Sequence, residues 1–179
     1  MIKLKSKFKK IFIAGLMTTV MWGGIMSTTQ ALPNNTIGST PVKFVQQHQN
    51  LKIAGNLYMP KNYQNGKKYP AIITVHPGGG VKEQTSGLYA KKLAEKGFVT
   101  LAFDATHQGE SEGTPRGLEI PTERVEDIKS AVDFLTTLPQ VDAEKIAVVG
   151  ICAGGGFSVS AAQTEHRIKA IATVSGVDV

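Results

Sequence analysis

Lys145-Ile146-Ala147-Val148-Val149-Gly150-Ile151-Cys152-Ala153-Gly154-Gly155 decides how the rest of the chain reads. Lys145–Val149 is a short apolar run of the kind buried inside a parallel sheet. It leads into Gly150-Ile151-Cys152-Ala153-Gly154, which fits G-x-nucleophile-x-G, and small residues to about Gln163 then read as a helix. So sharp a turn holds its central residue in a strained conformation and lifts the side chain above the sheet. Glycines flank it because neighbouring backbone leaves no room for a Cβ. The helix N-terminus favours negative charge, first on a thiolate and then on an oxyanion. Cys152 is therefore the candidate nucleophile. The competing reading is a buried structural cysteine beside a glycine-rich helix start. The segment has no Walker lysine and is not G-x-G-x-x-G, which argues against a phosphate loop.

Working outward, short apolar strands alternate with helices. Val42–His48 and Leu51–Met59 read as two strands joined by a turn near Asn50, and Ala71–Val75 is a strand ending at His76. Glu83–Lys96 reads as a helix with Tyr89 and Leu93 on one face, stopped by Gly97. Phe98–Phe103 is the next strand. Pro121 opens a helix with Val125, Ile128, Val132 and Leu135 as its apolar stripe, and Pro139 stops it. Ile168–Val174 is the last strand. This alternation predicts an α/β fold, a mostly parallel sheet with helices on both faces. Ligands in such sheets bind at the carboxyl ends of the strands.

Those ends carry the remaining candidates. In His76-Pro77-Gly78-Gly79-Gly80 the glycines let backbone N–H groups face a ligand, so Gly78 or Gly79 could join Ala153 in an oxyanion hole. A merely flexible connection is the alternative. His76 is read as organising its loop rather than as a general base. In Asp104-Ala105-Thr106-His107-Gln108-Gly109-Glu110-Ser111, Asp104 is read as structural and His107 as a candidate for lining a substrate pocket.

The net charge of +6 points to anionic partners only if it is spread over the chain. It is not. Lys3, Lys5, Lys7, Lys9 and Lys10 precede an uncharged stretch from Ile11 to Gln30, and Thr29 and Ala31 have the −3/−1 spacing of a cleavage site. Residues 1–31 read as a secretory signal peptide, with an uncleaved anchor helix as the alternative and the only expected membrane link. The 148 residues that remain of 179 hold 15 basic and 14 acidic side chains, so nothing supports a nucleic-acid partner. Secretion or a periplasmic location follows. Residues 32–40 read as a polar leader and 41–179 as the domain. Cys152, the only cysteine, cannot form an internal disulfide or a multi-cysteine metal site.

HPGGG, FDATHQGESEG and VDAEKIAVVGICAGGG, in this order, resemble the α/β-hydrolase superfamily, and the cysteine at the elbow resembles its dienelactone-hydrolase branch. The resemblance implies hydrolysis of a small-molecule ester or lactone through a covalent intermediate, without cofactor or metal. It matches Cys152 to the nucleophile, and Ala153 with Gly78 or Gly79 to the oxyanion-hole positions. It also implies an acid and then a histidine after the nucleophile. The only histidine after Cys152 is His166, placed before the last strand and so at the opposite end of the sheet, and Asp178 has no histidine after it. The expectation is an N-terminal portion of the fold, inactive or limited to a single turnover, with an open sheet edge through which copies associate. A non-catalytic binding protein on a degenerate hydrolase scaffold, and a peptidase or acyltransferase of the same superfamily, are the alternatives.

Overall fold

The computed structural model describes residues 37–179. The predicted signal segment and most of the predicted leader lie outside the described residues. The strands are β1 (Ser39–Gln46), β2 (Leu51–Tyr58), β3 (Tyr69–Val75), β4 (Val99–Phe103), β5 (Val141–Ile151) and β6 (Ile168–Val174). The helices are α1 (Thr85–Glu95), α2 (Pro121–Thr136) and α3 (Ala153–Ala162). They form one six-stranded sheet in the order β1-β2-β4-β3-β5-β6. β1, β2 and β4 pair antiparallel, whereas β4, β3, β5 and β6 run parallel. The fold class is thus the mostly parallel α/β architecture expected.

Strand alternation sends successive side chains to opposite faces, and the two faces are filled differently. Ile73, Val75, Leu101, Phe103 and Val148 pack with Ile128, Val132 and Leu135 of α2 and Phe157 of α3. On the other face Ala102 and Tyr58 pack with Ala90 and Ala94 of α1. Thr100, on that same face, donates its hydroxyl to the Ala90 carbonyl at 2.8 Å. The buried line of α1 is therefore Ala90 and Ala94, with Tyr89 and Leu93 flanking it half-buried. Small side chains let that helix lie close to the sheet.

Two further differences from the sequence reading have local causes. β1 begins at Ser39, inside the predicted leader, because an edge strand needs no hydrophobic alternation and tolerates Pro41. The buried face of α2 runs through Arg124, Ile128, Ala131 and Leu135, and Val125 is only half-buried. A fully buried arginine breaks the apolar pattern that periodicity detects.

At the other edge, β6 pairs among the described residues only with β5, and Lys169–Thr173 are exposed. No helix among the described residues is long and apolar enough to cross a membrane.

Phe44 fastens β1 to the core. Its ring stacks on Phe134 of α2 at 5.2 Å and meets the edge of Phe103 at 6.1 Å. Phe44→Ala is expected to lower stability by about 3 kcal/mol, the usual cost of emptying a buried aromatic site, read as a shift in the urea midpoint.

Candidate active site

The carboxyl ends of β3, β4 and β5 lead to His76, Asp104 and Cys152, side by side on one edge of the sheet. Cys152 stands between β5 and α3 with φ +54° and ψ −123°, a conformation that costs a non-glycine residue about 1–3 kcal/mol. Its surroundings hold it there. The Cys152 N–H donates to the Val174 carbonyl at 2.9 Å, and the Cys152 carbonyl accepts from the N–H of Gly155 at 2.9 Å and of Val177 at 3.3 Å. The flanking glycines are steric necessities. A Cβ on Gly150 would collide with the Gly154 carbonyl oxygen, and one on Gly154 would lie 2.5 Å from the Val75 oxygen and 2.7 Å from the His76 oxygen. The thiol is free and half-buried.

His76 is fully buried and both its ring nitrogens are engaged. Nε2 accepts from the Ala105 N–H at 3.0 Å, so the ring proton sits on Nδ1 and is donated to the Pro77 carbonyl at 2.6 Å. Burial, and then the nearby Arg124 charge, push its pKa down to about 4, which keeps the ring neutral. The Pro77 carbonyl also accepts from the Gly80 N–H at 3.0 Å. In a trans peptide the C=O and N–H point in opposite directions, so anchoring the Pro77 oxygen aims the Gly78 N–H the other way.

The two glycines offered by sequence have different places. Gly78 faces the elbow, since a Cβ on it would stand 3.8 Å from the Ala153 Cβ. Gly79, at φ +65°, donates its N–H to Glu119 Oε2 at 3.0 Å. Among the described residues no hydrogen bond engages the Gly78 N–H.

The loop after β4 is fastened by its own polar groups. Asp104, fully buried, accepts from the Lys82 N–H at 2.6 Å, from Lys82 Nζ at 2.9 Å and from the Glu110 N–H at 2.8 Å. Burial alone would lower the Lys82 pKa, but Glu110, Glu83 and Asp104 raise it above its ordinary value. His107, expected to line a substrate pocket, is enclosed in this loop instead. It is 5% exposed, with Nε2 2.9 Å from Glu123 Oε2 and Nδ1 2.9 Å from the Pro115 carbonyl. Gly113 closes against its ring, so neither nitrogen is left for a ligand.

Three residues of the site region escaped the sequence reading. Glu119 takes the Gly79 N–H and an Arg124 Nη1–H at 3.0 Å. Arg124, 2% exposed, donates from Nη2 to the His76 carbonyl at 2.8 Å and covers the Phe157 ring at 4.9 Å. Asp127 accepts the Thr106 N–H at 2.8 Å, and burial raises its pKa to about 7. The one signal in sequence was Arg124, four residues before Ile128 and thus on the face of α2 that is buried. His166 is exposed before β6, at the amino end of the sheet, as its position in the chain required. Among the described residues no group of three His, Cys, Asp or Glu could hold a metal ion.

Residues 53–178 match the profile of the Dienelactone hydrolase family. The chain belongs to that family. Uncharacterized protein YcjY of Escherichia coli (strain K12) is 54% identical over 129 residues, which are 72% of this chain and 42% of YcjY. Thiohydrolase aneE of Aspergillus aculeatus is 35% identical over 124 residues, 69% of this chain and 37% of aneE. The crystal structure of hypothetical protein PA2218 from Pseudomonas aeruginosa superposes with a TM-score of 0.76 at 44% identity, covering 80% of this chain and 44% of that one. The chain thus spans less than half the length of these relatives.

Two measurements test this geometry. Gly154→Ala must push its Cβ into backbone carbonyls, so a loss of about 1–3 kcal/mol or more in chemical denaturation is expected, against little change for Gly38→Ala, which stands in open space with no left-handed φ. The second concerns pH. Folded Asp127 keeps its proton up to about pH 7, while the unfolded chain releases it near 3.8, so its stabilisation is present at low pH and fades as pH rises to 7. His76 acts oppositely: stability is complete above its ordinary 6.5 and is lost as pH falls toward 4. Asp127→Asn removes only the first effect. The stability of the wild type relative to this variant should decline steadily from about pH 4 to 7, as read by urea denaturation.

Proposed function

We propose that this member of the dienelactone hydrolase family cleaves small-molecule esters, lactones or thioesters by acyl transfer to Cys152. The observation that carries the reading is the position of Cys152, at φ +54° on the strand–helix turn with Ala153 and Gly78 beside it. The Cys152 thiolate adds to the carbonyl carbon, and the carbonyl π pair moves onto oxygen. The Gly78 and Ala153 N–H groups donate to that oxyanion. Collapse expels the alcohol or thiol portion as its anion and leaves an S-acyl cysteine. Water then releases the acid and restores the thiol. A thioester substrate is in keeping with the name of the relative aneE, a thiohydrolase.

Water attack is the weak step. His76 and His107 have their nitrogens engaged, and His166 stands at the far end of the sheet. Among the described residues neither His76 nor His107 is left free to activate that water, so the S-acyl form is expected to accumulate when residues 37–179 act alone. The same observation favours a second reading, a non-catalytic binding protein on this scaffold. The lysine-rich, then uncharged stretch at the front of the chain supports an exported protein, periplasmic or secreted.

Mixing the chain with p-nitrophenyl acetate should give a stoichiometric burst of p-nitrophenolate and an acetyl group on the Cys152 peptide by mass spectrometry. The burst should be about 100-fold faster than acylation of a simple thiol, the scale of an oxyanion-hole contribution, and should vanish in Cys152→Ala. A rate equal to that of the simple thiol would favour the binding protein.

A further inference from the structure

A closed ring of contacts joins the HPGGG loop to the start of α2. Arg124 Nη2 donates to the His76 carbonyl at 2.8 Å, Arg124 Nη1 donates to Glu119 Oε1 at 3.0 Å, and the Gly79 N–H donates to Glu119 Oε2 at 3.0 Å. Arg124 is 2% exposed, so its charge stays in place through Glu119 and the carbonyl. The loop backbone is gripped at residue 76 and again at residue 79. Between the two grips lies the Gly78 amide, whose own peptide oxygen is held by His76 Nδ1 and the Gly80 N–H.

We infer that Glu119 is a positioning residue: with Arg124 behind it, its carboxylate holds the Gly79 N–H and thereby keeps the Gly78 N–H aimed at the oxyanion formed on the Cys152 substrate. The inference rests on the reading of Cys152 as nucleophile. Glu119 touches neither the thiol nor the reacting carbonyl in this role. A glycine run is otherwise the most mobile backbone available, and an oxyanion hole works only when its donors are already in place. Glu119 supplies the order that the glycines lack.

Two reactions of the same thiol separate this role from a general structural one. Acetylation by p-nitrophenyl acetate builds an oxyanion. Alkylation by iodoacetamide is a displacement at a saturated carbon and builds none, so it reports only thiol access and basicity. Both are measured on the full chain under single-turnover conditions. Glu119→Ala is expected to slow acetylation of Cys152 about tenfold, on the scale of one charge-assisted hydrogen bond, and to leave alkylation unchanged. Glu119→Asp keeps a carboxylate for Arg124 on a side chain shorter by one methylene, and is expected to slow acetylation likewise should the alanine variant fail to fold. Glu119→Gln retains an acceptor for the Gly79 N–H and should recover most of the rate. Equal acetylation in wild type, Glu119→Ala and Glu119→Asp overturns the inference while leaving Cys152 as nucleophile. A parallel fall in both reactions also overturns it, since the damage is then general. Absence of acetylation in the wild type overturns the reading of Cys152 itself, and the inference with it.

Discussion

The closeness of Gly154 to the last carbonyls of β3 is the constraint from which the site follows. No side chain fits between them, so the start of α3 lies directly against the end of a neighbouring strand. That contact brings the Ala153 end of the helix beside the HPGGG loop. It also leaves Cys152 no ordinary backbone conformation in which to complete the turn. The strain at the cysteine and the meeting of the two loops are thus one steric fact. Its energy comes from elsewhere, chiefly from the apolar face that β3, β4 and β5 share with α2 and α3.

A second layer of order is polar and buried. His76, Asp104, Arg124 and Asp127 are all at most 2% exposed. Burying so many ionisable groups has a cost unless each finds partners, and most of these partners are backbone amides and carbonyls of the loops. The groups act as fasteners for segments that have no regular hydrogen bonding of their own. This explains why a loop with a histidine and several acidic residues, which looks chemically equipped in sequence, spends side chains on its own fastening. His107 is the clear case, held between Glu123 and the Pro115 carbonyl.

The elements legible in sequence are those governed by local rules. The elbow glycines, Pro121 at the first turn of α2, Gly97 after α1 and the apolar strands each express a steric or periodic requirement satisfied within a few residues. The helical spacing of Arg124 from Ile128 marks it as buried, but the roles of Glu119 and Arg124 were not legible, because they arise only when the loop after β4 folds back on the loop after β3, some forty residues earlier in the chain. Nothing in Leu118-Glu119-Ile120 marks the glutamate as a partner of Gly79. The choice between Gly78 and Gly79 was beyond sequence for the same reason. It depends on which peptide oxygen His76 and Gly80 hold.

The attachment of the elbow to β6 has a consequence for motion. Two of the three backbone hydrogen bonds that hold Cys152 in its strained state come from Val174, at the end of β6, and from Val177 just beyond it. β6 is also the strand with the least burial, exposed along Lys169–Thr173. Local opening begins where burial is thinnest, so fraying of this strand is the cheapest route by which the elbow relaxes. The strained conformation of Cys152 is therefore coupled, through two backbone hydrogen bonds, to the order of the strand that carries them, and any contact that quiets β6 steadies the elbow from a distance.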